Sequence, residues 1–369
     1  MKILMLSKAL VVGTYQRKAE ELAALPDVEL TVAVPPVWHE PGAGPVQLER
    51  RHTVGYQLAV LPMWLNGHFH LHFYPGLKRL VELIQPDVFH IDEESFNFAT
   101  FQAMQLGVQH RAKCCFYNWA NIERRYPPPF STFERYTLKH AAAAIAGSHE
   151  AAAIIERHGY QGPIHVLPQF GVDPALFQPA AEPLPATPFR VGYFGRMIEP
   201  KGVLDLLEAV AQLPPHIHLL LVGDGDLLPR IEERVDELQL RARVEIKPRV
   251  PSGAVADEMR RLHAFVLPSR TTPRWKEQFG RVLIEAMASG VPPIGSDSGE
   301  IPHVIGDAGL IFHEGDVADL AEKIRTLVDR PDVRRELGLK GRQRVLDHYT
   351  QRALAKQYYD VYCQMLATR

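Results

Sequence analysis

Strand-length apolar runs alternate along the chain with segments of helical spacing. Lys2 to Leu6 (KILML) and Glu29 to Val34 (ELTVAV) read as strands, the second rich in β-branched residues. Further strands are predicted at Gln57 to Leu61, Val88 to Ile91 and Cys114 to Tyr117. Helical patterns fall around Arg17 to Leu25, Pro75 to Ile84 and Phe98 to Leu106. Strand alternating with helix is the signature of a parallel sheet covered on both faces.

The cycle restarts in the second half. Pro183, Pro185 and Pro188 crowd the stretch Ala180 to Pro188, which breaks both helix and central strand and reads as a linker. Beyond it come a strand at Phe189 to Tyr193, a helix at Gly202 to Leu213 and a strand at His218 to Val222. A strand at Val244 to Ile246 follows, then one ending at Phe265 to Leu267 and a helix over Phe279 to Ala288, stopped by Gly290 and Pro292. The expectation is two Rossmann-like doubly wound α/β domains, residues 1–183 and 184–350. An amphipathic helix from Gln351 to Leu366, with Tyr358, Tyr359 and Tyr362, is expected to cross back, so that 351–369 completes the first domain.

Composition narrows the class. The 369 residues carry 41 Lys+Arg against 43 Asp+Glu, and the balance is 15 against 17 in residues 1–187. Neither half holds the excess that gripping nucleic acid calls for, so no nucleic-acid partner is expected. Three cysteines, two adjacent, make no disulfide framework and suit a reducing compartment. No run reaches the ~18 apolar residues of a membrane span. A cytoplasmic enzyme is the expectation, with the inner face of a membrane as a variant of it.

The second half concentrates the chemistry. In PSRTTPRWKEQFGRVLIEAMASGVPP, Glu277 stands just before a helix and Glu285 two turns inside it. A strand, a loop and a helix start with Phe279-Gly280 point backbone N–H groups above the carboxyl edge of a sheet, where a phosphate is stabilised. Gly280 is expected to let a ligand approach the backbone. FGRMIEPKG (Phe194 to Gly202) adds Gly195, Arg196 and Lys201 on a second strand-to-helix turn. Two cations beside a helix start suit a departing diphosphate, whose charge grows in the transition state.

The ordered set FGRMIEPKG, LLVGDGD and the E-x7-E of Glu277 and Glu285 resembles family 4 of the retaining, nucleotide-sugar-dependent glycosyltransferases. The resemblance spans essentially the whole chain. It implies the GT-B architecture, with two Rossmann-like domains facing each other across a cleft. It also implies transfer of a hexose from a UDP- or GDP-linked donor to a hydroxyl of a carbohydrate, lipid-linked or small-molecule acceptor. Glu277 would hold the sugar hydroxyls, and Phe279, Gly280, Arg281 and Val282 would lie along sugar and phosphate. Glu285 would bind the ribose, Arg196 and Lys201 would clamp the diphosphate, and Arg249 and Val250 would meet the base. No metal and no cofactor besides the nucleotide sugar are implied.

Three places depart from the family pattern. Where relatives carry a His after the CCFY-type strand, this chain has Asn118 or Trp119, with Asn121 a competitor; Asn118 can donate a hydrogen bond to sugar but cannot act as a base. The usual paired-Gly loop is reduced to Gly13, and His303 stands where a Glu is common. His68, His70 and His72 recur at spacing two, which one strand face would align for a metal, although Pro75 argues for a loop. With Trp38, Trp64 and Arg124-Arg125-Tyr126 they are expected to line the acceptor side, a rim that also suits weak peripheral membrane contact. A nucleotide-sugar epimerase and a non-catalytic nucleotide-sugar-binding protein remain the alternatives. NAD-dependent redox chemistry is disfavoured because no G-x-G-x-x-G follows a strand.

Overall fold

The computed structural model describes residues 1–40 and 44–367. The chain divides into two compact units, the first running from Met1 to Gly171 and resuming at Gln351, the second from Val172 to Thr350.

In the first unit, strands β1 (Lys2–Leu6), β2 (Glu29–Val34), β5 (Gln57–Val60), β6 (Val88–Ile91), β7 (Lys113–Asn118), β8 (Ala143–Ala146) and β9 (Ile164–Val166) form one sheet. A hairpin of β3 (Val37–Glu40) and β4 (Gly44–Gln47) pairs separately, an antiparallel addition that the apolar pattern did not predict. The sheet order is β5-β2-β1-β6-β7-β8-β9, with parallel pairing throughout. Its strands are apolar on both faces because each face carries a core. Leu4, Leu6, Phe89, Ile91, Cys114 and Phe116 point into one cluster, while Ile3, Met5, Val88, Cys115 and Tyr117 point into the other.

The second core is closed by the helix Gln351–Ala367, which buries Leu354, Ala355, Tyr358, Val361, Tyr362 and Met365 at three- and four-residue spacing. Tyr362 shares a 2.7 Å hydrogen bond with His90 Nδ1, and Tyr358 donates to the Pro168 carbonyl at 3.3 Å. The expected return of the chain to its first half is thus a packing event, fixed by tyrosines whose polar ends find partners.

In the second unit, β10 (Phe189–Phe194), β11 (Ile217–Val222), β12 (Val244–Lys247), β13 (Ala264–Leu267), β14 (Pro293–Ser296) and β15 (Leu310–Phe312) form a parallel sheet. Its order is β12-β11-β10-β13-β14-β15, the doubly wound arrangement.

The boundary expected at 183/184 lies instead at 171/172. The reason is that the segment leading into the proline-rich stretch packs on the second unit, and within the stretch Pro185 O lies 2.9 Å from His263 Nε2. Val172 N–H donates to Tyr349 O at 2.9 Å, and Arg342 donates to the carbonyl oxygens of Phe177 and Pro174. Prolines mark where the chain leaves regular structure, and here that is a strap rather than a hinge between units.

Candidate active site

The candidate residues of the second unit gather at the carboxyl ends of neighbouring strands. Connections leave β10 and β13 toward opposite sides, and a crevice opens at such a switch point. Gly195, Arg196 and Lys201 lie on the loop after β10; Ser269 to Gly280 lie on the loop after β13. These loops are pressed together backbone to backbone. Gly202 has a φ of 65°, and a Cβ there would collide with the Pro268 carbonyl oxygen. Two further straps hold them: Arg270 N–H donates to Pro200 O at 2.8 Å, and its guanidinium pairs with Asp205.

Glu277 sits at the centre of this junction and is only 7% exposed. Its Oε2 accepts from Lys201 Nζ at 2.5 Å and from Ser269 Oγ at 2.8 Å. The Lys201 ammonium lies 4.9 Å from the centre of the Trp275 ring, so one cation faces a carboxylate and an aromatic plane together. The Glu277 carbonyl in turn accepts from Glu300 N–H at 3.1 Å. The structure therefore joins Glu277 and Lys201 directly, where the sequence placed them on separate parts of a ligand. Ser269 was not singled out in sequence; only its place two residues past a strand end pointed to it.

The helix after Glu277 spans Arg281–Ala288, two residues shorter at its start than expected. The cause is Gly280, whose φ of 74° makes it the left-handed residue before the first turn. The space a Cβ would take there is filled by Leu267 and Leu283 at 2.8 and 2.9 Å. Gly280 thus serves the turn and the close packing of this helix start. Phe279 is buried against Tyr349, with ring centres 5.8 Å apart. Arg281 and Val282 occupy the first turn, where the Leu283 N–H donates to Gly280 O at 2.8 Å.

Glu285 lies inward on that helix, its Oε1 3.2 Å from Arg281 Nε. Burial raises its carboxyl above the ordinary range, and the Arg281 charge pulls it partly back. Glu277 and Glu285 hold different partners. Arg196 is exposed, and its carbonyl accepts from Tyr193 Oη at 2.7 Å. The Gly195 amide donates to Val222 O at 2.9 Å and so continues the ladder between β10 and β11. Arg249 and Val250 follow the edge strand β12, with β11 between them and the β10 loop.

Gly13 and Asn118 belong to the first unit, after β1 and at the end of β7, with β6 between these strands. The Gly13 amide donates to Glu49 Oε2 at 3.1 Å, and the side chains of Glu49 and Arg51 fill the space over its Cα. Asn118 is buried, its carbonyl accepting from Gly147 N–H at 2.9 Å.

The acidic run Asp92-Glu93-Glu94 after β6 was not singled out in sequence, yet it organises this edge. Burial disfavours the Glu93 charge, but Lys8 and His72 (Nε2 to Oε1, 3.3 Å) overcome it and bring the carboxyl down to about 2. Asp92 accepts from Ser7 Oγ at 2.5 Å and from Gln169 Nε2 at 2.7 and 2.8 Å. Beside it, burial brings Lys18 down to about 8, against the pull of Asp92. Glu94 accepts from Trp119 N–H at 3.0 Å through one oxygen, while the other is buried without a hydrogen-bond partner. Burial pushes this carboxyl up to about 8.

The three histidines lie in a turn, not on a strand, and diverge. His72 is buried on Glu93, and His70 bonds Asn97 Oδ1 at 3.0 Å. Trp38 is buried in the hairpin and Trp64 is exposed, so the expected aromatic rim is divided between core and surface.

Residues 176–344 match the family described as "Glycosyl transferases group 1", and residues 15–176 match "Glycosyltransferase Family 4". The chain belongs to the family 4 glycosyltransferases. An alpha-maltose-1-phosphate synthase of Mycolicibacterium smegmatis is 31% identical over 191 residues, 48% of either protein. An N-acetyl-alpha-D-glucosaminyl L-malate synthase of Bacillus anthracis is 33% identical over 170 residues, 45% of this chain and 43% of that protein. These matches span about half the length of the curated relatives. The chain is similar in fold to a sucrose-phosphate synthase of Thermosynechococcus elongatus, with a TM-score of 0.72 at 23% identity over 100% of both chains. Anabaena HepE, solved with UDP, gives 0.72 at 18% identity over 99% of this chain and 100% of that one. The fold is GT-B. Among the described residues no helix is long and apolar enough to cross a membrane.

Proposed function

We propose that the protein transfers a hexose from a nucleoside diphosphate sugar to an acceptor hydroxyl, with retention of configuration. The observation that carries this reading is the Glu277–Lys201–Ser269 cluster beside the helix start at Arg281, at the switch point of the second sheet. HepE was solved with UDP, and the two synthases are named for sugar-containing products, which supports the same class of reaction here.

In this reading Glu277 receives the hydroxyls of the sugar, and Lys201 stands between it and the diphosphate. With Arg196 it offsets the charge that develops as the bond from sugar carbon to phosphate oxygen breaks. The acceptor oxygen forms the new bond on the same face, and its proton passes to the departing phosphate oxygen. No protein nucleophile is required, and the two cations take the part a metal ion plays elsewhere.

Thermal-shift screening with UDP, GDP and ADP tests the donor side, because a ligand that prefers the folded state raises the melting point. A rise with one nucleotide and its sugars is expected. No rise with any of them would overturn the donor site.

A further inference from the structure

A second feature of the first unit lies outside the donor machinery. The chain after β7 runs through Arg124-Arg125-Tyr126 into the helix Phe130–His140, and the turn Gly159–Gly162 follows the neighbouring helix His149–Arg157. Between them lies an open groove of about 860 Å³. Arg124, Arg125, Arg135 and Lys139 line it; all four are exposed, and none is ion-paired among the described residues. Glu134 is the one carboxylate in its lining, and it is already engaged by His158 Nδ1 at 2.9 Å and by Ser95 Oγ at 3.3 Å.

This is an unusual local excess. Residues 1–187 hold 15 Lys+Arg against 17 Asp+Glu, yet four of those cations share one concavity. Like charges gathered without counter-ions repel each other, and an anion that enters relieves the repulsion while gaining charge-assisted hydrogen bonds. Three of the four are arginines, whose planar fork matches a phosphate better than an ammonium does. The inner wall of the groove, with Arg124, Tyr126, Glu134 and His158, is shared with a second, small cavity lined by Ser95 and Asn118, at the carboxyl ends of β6 and β7.

We propose that this groove binds a phosphate group carried by the acceptor. The inference rests on the transferase reading only for the word acceptor; a phosphate site stands without it. The phosphate has two sources, a soluble phosphorylated acceptor or the headgroup of a lipid, and the chemistry of recognition is shared.

The test compares the full chain with an Arg124→Ala/Arg135→Ala double variant, both substitutions being at exposed positions. Binding of inorganic phosphate is titrated at low ionic strength with UDP present to occupy the donor side. The variant is expected to bind at least tenfold more weakly, with its UDP thermal shift unchanged. Sedimentation with phosphatidylcholine vesicles, with and without one third phosphatidylglycerol, separates the sources. Retention on the anionic vesicles alone, lost in the variant, assigns a lipid headgroup. Phosphate binding without retention assigns a soluble acceptor. Equal phosphate binding and equal sedimentation by the two proteins would overturn the proposal. Failure of UDP to bind either protein would count against the donor reading and leave this comparison intact.

Discussion

The carboxyl edges of the two sheets are built by opposite means. In the second unit, two short loops are locked backbone against backbone, and the polar side chains are carried on that frame. In the first, the frame is made by side chains: Ser7 and Gln169 meet at Asp92, Lys8 and His72 at Glu93, and the Trp119 amide meets Glu94. A site of the first kind is specified by glycines and strand ends, a site of the second by charges that must offset one another in a buried place. The first kind fails when chemistry or backbone is disturbed, and the second when one charge is removed.

The largest effect is expected where the backbone frame presents its carboxylate. Glu277→Ala removes the partner of both Lys201 and Ser269 on a solvent-poor surface. Loss of one pre-organised polar contact costs on the order of 10³-fold in kcat. Sugar transfer should fall by about that factor in kcat/KM while the UDP thermal shift persists. Transfer at the unaltered rate would place the donor sugar elsewhere.

Disturbing the frame itself comes next. Gly202→Val puts a side chain against the Pro268 carbonyl in a left-handed conformation that β-branched residues avoid. Strain and overlap together should cost about 3–4 kcal/mol in the second unit. Calorimetry that resolves the two units should show one transition lowered and the other unmoved. A single unchanged melting profile would mean that the loops separate readily.

The same difference governs what could be read from the chain alone. Both doubly wound sheets were legible because their strands are short apolar runs and helical spacing alternates with them. Glu277, Glu285 and Lys201 were legible because they ride in motifs whose glycines and strand ends are local features. The acidic run at Asp92–Glu94 was not, since its partners lie as far away as Lys8, 85 positions earlier, and Gln169, 77 later than Asp92. Nothing in a linear pattern tells a buried, paired carboxylate from a solvated one. Gly280 shows another limit: its residue type was legible, but only the packing reveals that Leu267 and Leu283 lie where a Cβ would stand.

Glu93 tests the side-chain frame. It is fully buried and held charged by Lys8 and His72. Breaking a buried pair leaves the remaining charge uncompensated, which costs about 3 kcal/mol. Glu93→Gln should therefore lower the melting point of the first unit by roughly 10 °C at pH 7. Because its carboxyl is lowered from 4.5 to about 2, its stabilisation is present above pH 4.5 and is lost as the pH falls toward 2. The gap between variant and parent should close on acidification. A gap that is independent of pH would show that packing, not charge, holds Glu93.

Its neighbour should respond with the opposite sign. Burial raises the Glu94 carboxyl from 4.5 to about 8, against the Trp119 amide and the Lys8 charge. The folded chain then keeps a proton that the unfolded chain releases between these values. The contribution is fully present below pH 4.5 and disappears as the pH rises through 8. Glu94→Gln keeps an oxygen for Trp119 N–H but has no proton to lose. The variant should match the parent near pH 4.5 and exceed it at pH 8 by on the order of 4 kcal/mol, roughly 10 °C in melting point. Two adjacent carboxylates with mirror-image pH profiles would establish that the first edge is set by compensation of charge, residue by residue. Parallel profiles would mean that the run acts as one solvated acidic patch, and the contrast with the backbone-built edge would fall.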